Sequence, residues 1–93
     1  MFIRNLISQL ISTYEIDFES FIKSRTEEVT TIRYAVITAM CDYFTDIEIS
    51  KSTELCRSAV NKIRNAYVRR FRRWSERQLL DEVRKIIVAV IGE

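Results

Sequence analysis

The residues best suited to chemistry lie in a stretch over residues 55–75, which contains seven basic residues and no acidic one. The basic residues of this stretch, called the basic segment below, are Arg57, Lys62, Arg64, Arg69, Arg70, Arg72 and Arg73. The whole 93-residue chain has 13 acidic residues and a formal net charge of +2, so its positive charge is concentrated here. A concentrated cationic segment in a near-neutral protein indicates a surface that binds a polyanion.

Apolar and aromatic residues are interleaved with these charges. They are Val60, Ile63, Tyr67, Val68, Phe71 and Trp74. The basic segment therefore has one face to bury and another to expose, which favours a folded nucleic-acid-binding element over a flexible basic tail. We expect Tyr67 and Trp74 to be buried core aromatics. The alternative, that they stack on unpaired bases, keeps RNA open as the less favoured partner.

The beginning of the basic segment carries side chains suited to reading DNA. In the major groove Arg bonds bidentately to guanine and Asn to adenine, so we predict base contacts from Arg57, Ser58 and Asn61. For Asn61 an ordinary surface position is the alternative, and for Ser58 a helix cap. The predicted phosphate contacts are Arg25, Lys51, Lys62, Arg64, Arg69, Arg70, Arg72 and Arg73. Phosphate contacts set affinity and register but carry no sequence information.

Residue types that catalysis would need are scarce. The chain has no His, which is the commonest general base and transition-metal ligand. It has no glycine-rich phosphate loop and no cysteine or carboxylate cluster with metal-ligand spacing. Its acidic pairs at residues 27–28 and 81–82 are adjacent in sequence, so their side chains diverge on a helix. We therefore expect no enzymatic activity, no cofactor and no bound metal.

Composition indicates the fold class. Apolar residues make up 47% of the chain, Pro is absent and Gly occurs once, which favours a single all-α domain over residues 1–93. We expect a compact bundle of five to six helices. No apolar run approaches the length of a membrane span and no signal peptide is evident, so a cytoplasmic location without a membrane partner is expected. Cys41 and Cys56 are expected to be reduced core residues.

Apolar spacing places the helices. The first covers about residues 2–13, and the second follows Asp17 as its N-cap. Thr26 can cap a long third helix, whose repeating stripe includes Arg33 and runs to Phe44. Its near-continuous apolar character indicates burial on most sides, so we expect it to be the spine of the domain. A fourth helix begins at Thr45 or Asp46 and points Ile47 and Ile49 inward. A turn at residues 53–56 precedes a fifth helix over about 57–70, and Ser75 begins a last helix over about 75–91.

The fourth and fifth helices, over about residues 46–70, have the layout of a helix-turn-helix. In that motif the second helix enters the major groove, so residues 57–70 would be the recognition helix of a small DNA-binding regulator of transcription or replication. The alternative is a protein-interaction module with a solvated basic face. The last helix is more apolar than one buried face requires, which allows a homodimer through it. Its apolar residues include Ile86, Ile87, Val88, Val90 and Ile91.

Two short motifs carry a resemblance to a known family. Residues 48–51 (EISK), five further residues and then 57–60 (RSAV) resemble the helix-turn-helix of the DNA-binding domain of the bacterial replication initiator DnaA. Residues 24–33 are similar to that domain's basic loop and long helix. This likeness implies that Arg25 contacts the DNA backbone or minor groove. The RSAVN sequence at 57–61 is also similar to the start of the reading helix in related small stand-alone proteins. The family's Asp, His and Thr fall on Cys56, Arg57 and Ala59, so the resemblance covers the fold better than the target.

Overall fold

A computed structural model describes residues 2–66, 69, 71 and 73–92, and the described part of the chain contains helices but no strand. The helices are α1 (Phe2–Ser12), α2 (Phe18–Lys23), α3 (Glu27–Met40), α4 (Asp46–Thr53), α5 (Arg57–Asn65) and α6 (Trp74–Ile91). They form a compact bundle with a radius of gyration of 12.0 Å. The predicted all-α fold class is confirmed. None of these described helices combines the length and apolarity needed to cross a membrane.

Helix α1 is amphipathic, as its apolar spacing predicts. Its buried residues are Ile3, Leu6, Ile7, Leu10 and Ile11. These positions repeat every three or four residues, so they form one stripe that faces the core. On the outer side, the guanidinium carbon of Arg4 lies 4.3 Å from the centre of the Phe18 ring, which links α1 to the start of α2.

The predicted caps of α2 and α3 are confirmed. The Asp17 carboxylate accepts a hydrogen bond from the Ser20 backbone amide at 3.0 Å, and Thr26 Oγ1 accepts from the Val29 amide at 3.4 Å. Each bond satisfies one of the amides that a helix start leaves without an intrahelical partner. Hydrogen bonds from the side chain and then the amide of Ser20 lower the pKa of Asp17, because they stabilise its ionised form.

Helix α3 is the spine of the bundle and packs most extensively against α6. Every residue from 35 to 40 is buried, which confirms the expectation of burial on most sides. The helix ends at Met40 rather than near Phe44, because residues 41–43 form a turn that leads into α4. Arg33, which the apolar spacing placed in the buried stripe, donates from Nε to the Phe21 carbonyl at 2.6 Å. Partial burial lowers its pKa by desolvation.

Helix α6 packs along α3 through Leu80, Val83 and Ile87. Two polar contacts join the same helix to distant loops. The Tyr14 hydroxyl donates to the Glu82 carboxylate at 2.6 Å, and Arg84 donates to Asp42 at 3.1 Å. Burial and the neighbouring Glu82 charge raise the pKa of Tyr14, so its hydroxyl stays protonated and keeps donating this bond.

Three expectations about the burial of individual side chains are wrong. Ile47 is 45% exposed, because α4 buries Ile49 and Thr53, four residues apart, and two residues of helix turn a side chain to the other side. Cys56 is an exposed cap and not a core residue. Trp74 is 71% exposed, because it is the first residue of α6 and lies beyond the buried stripe. The last helix begins at Trp74, within one residue of the predicted start at about residue 75.

Candidate nucleic-acid interface

Helices α4 and α5 pack against each other and are joined by residues 54–56. A capping box begins α4: Thr45 Oγ1 accepts from the Glu48 amide at 3.2 Å, and the Glu48 carboxylate accepts from the Thr45 amide at 2.9 Å. The hydrogen bonds from Thr45 lower the pKa of Glu48. The sequence prediction that α4 begins at Thr45 or Asp46 is therefore confirmed, with Thr45 as the N-cap.

The turn between α4 and α5 is held by two hydroxyls of α4. Glu54 takes the left-handed conformation with φ 64°, which ends α4 and reverses the chain. Ser50 donates to the Leu55 carbonyl at 2.6 Å, and the Leu55 amide donates to Thr53 Oγ1 at 3.4 Å. These bonds satisfy backbone groups that the short turn leaves without helical partners, so the start of α5 has a defined position relative to α4.

Helix α5 has one buried face and one exposed face. Val60 and Ile63 are buried, and the helix packs on α3 and α4. Cys56 caps it, with Sγ accepting from the Ala59 amide at 3.4 Å. The helix ends at Asn65, earlier than the predicted residue 70, although Arg69 is again helical. The exposed side chains of α5 are Arg57, Ser58, Lys62, Arg64 and Asn65.

Three predicted base-contacting residues lie together. Arg57, Ser58 and Asn61 line one shallow depression with Lys62. The depression lies on the first half of α5, and the first turn of that helix has no acidic residue. Guanidinium, ammonium and hydroxyl groups offer donors to an anion or a base edge at this place. The sequence could predict that these residues lie together, because their spacing places them on one face of a helix.

One acidic residue reaches this surface from another helix. Asp46, at the start of α4, accepts from Arg64 at 2.8 Å through Oδ1 and from Asn61 Nδ2 at 3.3 Å through Oδ2. The side-chain oxygen of Asn61, Oδ1, accepts in turn from Asn65 Nδ2 at 2.7 Å. Asn61 therefore uses its amide nitrogen and its oxygen within the protein. Sequence reasoning missed Asp46, because it lies outside the basic segment and 18 residues before Arg64.

The other predicted phosphate contacts lie on several elements. Arg25 is exposed in the turn between α2 and α3, and Lys51 is exposed on α4. Arg69 and Arg73 are exposed in the second half of the basic segment, where Arg73 is the N-cap residue of α6. Arg70 and Arg72 lie outside the described residues, as do Tyr67 and Val68.

The described residues contain no group of three His, Cys, Asp or Glu side chains that could hold a metal ion. Exposed apolar side chains do occur, and these were also missed. Phe2 is 56% exposed and meets the Phe44 ring edge to face at 6.2 Å between centroids. Tyr43 and Ile47, each 45% exposed, follow Met40 and flank Phe44 in the sequence. Among the described residues, the other large apolar side chains that are exposed are Trp74 and Val88 on α6.

Comparisons of this chain with protein-family profiles, with curated proteins and with solved structures found no match. The likeness to the DnaA DNA-binding domain therefore stays a prediction that depends on the two short motifs. The charges and contacts of the described residues carry the functional argument.

Proposed function

We propose that this protein is a small DNA-binding protein, a regulator of transcription or replication in the cytoplasm, which docks α5 in the major groove. The observation that carries the proposal is the exposed cationic face of α5 on a helix whose opposite face is buried through Val60 and Ile63. A helix supported from one side can enter the groove, which is about 12 Å wide, as a rigid element. Phosphates then meet the surrounding lysines and arginines.

The arrangement of α4 and α5 supports the helix-turn-helix interpretation. A short capped helix, a turn over residues 54–56 and a second helix follow one another, and the two helices pack together. In helix-turn-helix proteins the start of the second helix contacts base edges. The proposed motif and the likeness to the DnaA domain make the same assignment, because both give the reading role to the first turns of α5.

The side chains of the surface take different proposed roles. The side chains of Arg57 and Ser58 make no hydrogen bond with another described residue, so they are the leading candidates for base contacts. Asn61 can read a base only by giving up its bonds to Asp46 and Asn65. The proposed phosphate contacts with described positions are Arg25, Lys51, Lys62, Arg64, Arg69 and Arg73. Arg64 must share its charge between a phosphate and Asp46.

Selection from a random duplex library, repeated at two salt concentrations, tests the proposal. We expect duplexes to be retained, with one sequence enriched at both concentrations. If five to seven phosphates are contacted, the logarithm of affinity should fall with the logarithm of salt at a slope of roughly −4 to −6. Absence of binding to any duplex at low salt, or binding that ignores salt, contradicts the proposal. A preference for single-stranded RNA over every duplex assigns the surface to RNA instead.

The second candidate is a protein-interaction module that dimerises through α6. The observation in its favour is Val88, which is 54% exposed near the end of this helix. Ile91, one turn further on, is half-buried, and Ile87 is fully buried against the core. Sedimentation at several protein concentrations tests the dimer, with Val88→Glu as the disruptive variant. A monomer at every concentration removes this candidate, whereas a dimer that Val88→Glu dissociates supports it and remains compatible with paired DNA half-sites.

A further inference from the structure

Trp74 is the most exposed large apolar side chain of the described residues, at 71% of its surface. It is not among the side chains that pack against the core. No hydrogen bond or ring contact joins its indole to another residue of the described ranges. A single exposed aliphatic residue needs no explanation, but an indole of this size contributes more buried area than other side chains when a partner covers it.

The neighbours of Trp74 share a chemistry. Arg77 and Gln78 follow it by three and four residues, so both lie on the same face of α6, and Arg73 directly precedes it. All three are exposed. The guanidinium groups suit phosphates, the amide suits the edge of a base, and the indole face suits the face of a base.

The charge around Trp74 favours an anionic partner. Glu76 is half-buried and lies two residues on, so it projects to another side of α6. Asp81 follows Trp74 by about two turns, or about 10 Å along the helix axis. Trp74 therefore lies in the cationic part of α6, next to the end of the basic segment.

We propose that Trp74, with Arg73, Arg77 and Gln78, is a stacking site for an unpaired base of a DNA strand beside the duplex that α5 binds. The inference rests on the proposed DNA-binding function and adds a second site to it. A base inside a duplex offers no free face, so the indole selects DNA with a single-stranded tail or an opened end. The arginines hold the phosphates on either side of that base.

The test uses the full chain and three DNA probes with one shared duplex. The first probe is blunt, the second carries a short single-stranded tail, and the third carries the same tail without bases. The abasic tail keeps the phosphates and removes only the stacking. Fluorescence anisotropy of labelled DNA gives the affinity. Trp74 is the one tryptophan of the chain, so its emission reports directly on stacking.

We expect the tail with bases to bind at least about fivefold more tightly than the abasic tail, with quenched tryptophan emission. Trp74→Ala should abolish that gain and leave the affinity for the blunt duplex unchanged, and Trp74→Phe should retain part of it. Tyr43→Ala, which removes another exposed aromatic side chain outside the basic segment, is the matched control and should change neither quantity.

Three results overturn the inference. Equal affinity for the two tails with unquenched emission, while the blunt duplex still binds, overturns the stacking site and leaves the DNA-binding proposal standing. Failure to bind any of the three probes overturns both. A shift of the Trp74 emission with protein concentration in the absence of DNA assigns the indole to a second copy of this chain.

Discussion

The carboxylate of Asp46, at the start of α4, accepts hydrogen bonds from two residues of α5, Arg64 at 2.8 Å and Asn61 at 3.3 Å. Part of the polar surface of α5 is therefore already bonded within the protein. At the start of α6, Arg73 and Arg77 are exposed and make no ion pair with a described residue. The two regions thus differ in how much of their charge is available to a ligand. The basic segment contains no acidic residue in the sequence, but in the folded protein the carboxylate of Asp46 lies against two of its residues, Asn61 and Arg64.

The regions also differ in what supports them. Helix α5 has nine residues and depends on Val60 and Ile63, which bury it on α3 and α4. Helix α6 has 18 residues, and its buried stripe begins only at Leu80, so Trp74 contributes little to packing. In short helices most stability comes from tertiary contacts. The polar surface of α5 is therefore sensitive to changes in the core, whereas the start of α6 is not.

Two truncations test this difference in support and should have the largest effects. Ile63→Ala removes a buried side chain and should lower the free energy of unfolding by about 2–5 kcal/mol. Trp74→Ala removes a larger but exposed side chain and should change it by less than about 0.5 kcal/mol. Urea denaturation followed by circular dichroism measures both. Similar losses for the two variants contradict the comparison, since they would mean that Trp74 is also part of the core.

Two substitutions on α5 separate base reading from phosphate contact. Arg57→Ala should weaken binding by about 1–3 kcal/mol to the selected duplex and relax preference at one base position. Lys62→Ala should weaken binding to selected and scrambled duplexes alike and reduce the salt slope by about 1. Anisotropy titrations with both duplexes at several salt concentrations give these quantities. If Arg57→Ala weakens both duplexes equally, Arg57 is a phosphate contact.

Removal of the Asp46 carboxylate, which pairs with Arg64 of α5, should have a smaller and opposite effect on DNA affinity. Asp46→Ala frees Arg64 and Asn61, so duplex affinity should rise and the salt slope should become steeper by about 1. The same variant should also lower the free energy of unfolding by about 1–3 kcal/mol, because the side chain of Asp46 is only 10% exposed and accepts hydrogen bonds from both Arg64 and Asn61.

Asp42→Ala is the matched control for Asp46→Ala, because it breaks the comparable bond to Arg84 on α6. We expect its DNA affinity to stay closer to that of the unmodified protein. A larger gain from Asp42→Ala than from Asp46→Ala would show that net charge, and not release of the α5 side chains, controls binding.

The smallest expected effect concerns the capping box that positions α4 against α5. Hydrogen bonds from Thr45 lower the pKa of Glu48, so the ionised carboxylate is favoured in the folded protein. Its stabilising contribution is present above the unfolded pKa and is lost as pH falls through the lowered folded pKa. Thr45→Ala removes the bond that the Thr45 hydroxyl donates to the Glu48 carboxylate and keeps the bond from the backbone amide, so it should raise the pKa of Glu48 part of the way toward its ordinary value. Carboxyl NMR titration measures this shift, and an unchanged pKa in the variant contradicts the role of Thr45.

Features that depend on neighbouring residues could be predicted from the sequence. The caps Asp17, Thr26 and Thr45 are confirmed, because a capping side chain bonds to an amide three residues away. The buried stripe of α1 and the central burial of α3 are confirmed for the same reason, since helical periodicity is a local property.

Features that depend on distant residues could not be predicted. The spacing placed Arg33 in the apolar stripe of α3 but could not show that its guanidinium donates to the Phe21 carbonyl of α2. Ile47 and Trp74 were assigned to the core by residue type, although the start of a helix can project beyond the elements that would cover it. The candidate base-contacting residues of α5 could be identified from their spacing. The hydrogen bond from Asn61 to Asp46 could not, because it joins residues of two different helices.

The sequence by itself determined the all-α class, the capped starts of α2, α3 and α4 and the position of the cationic segment, because periodicity, capping and charge depend on short ranges of residues. Only the tertiary structure decided which of those charges remain available. Packing α4 against α5 brings Asp46 to Arg64 across 18 residues of chain, and the buried stripe of α6 begins too late to cover Trp74. The physical reason is that an ion pair or a buried ring needs a partner in space, and the chain supplies that partner only after it folds.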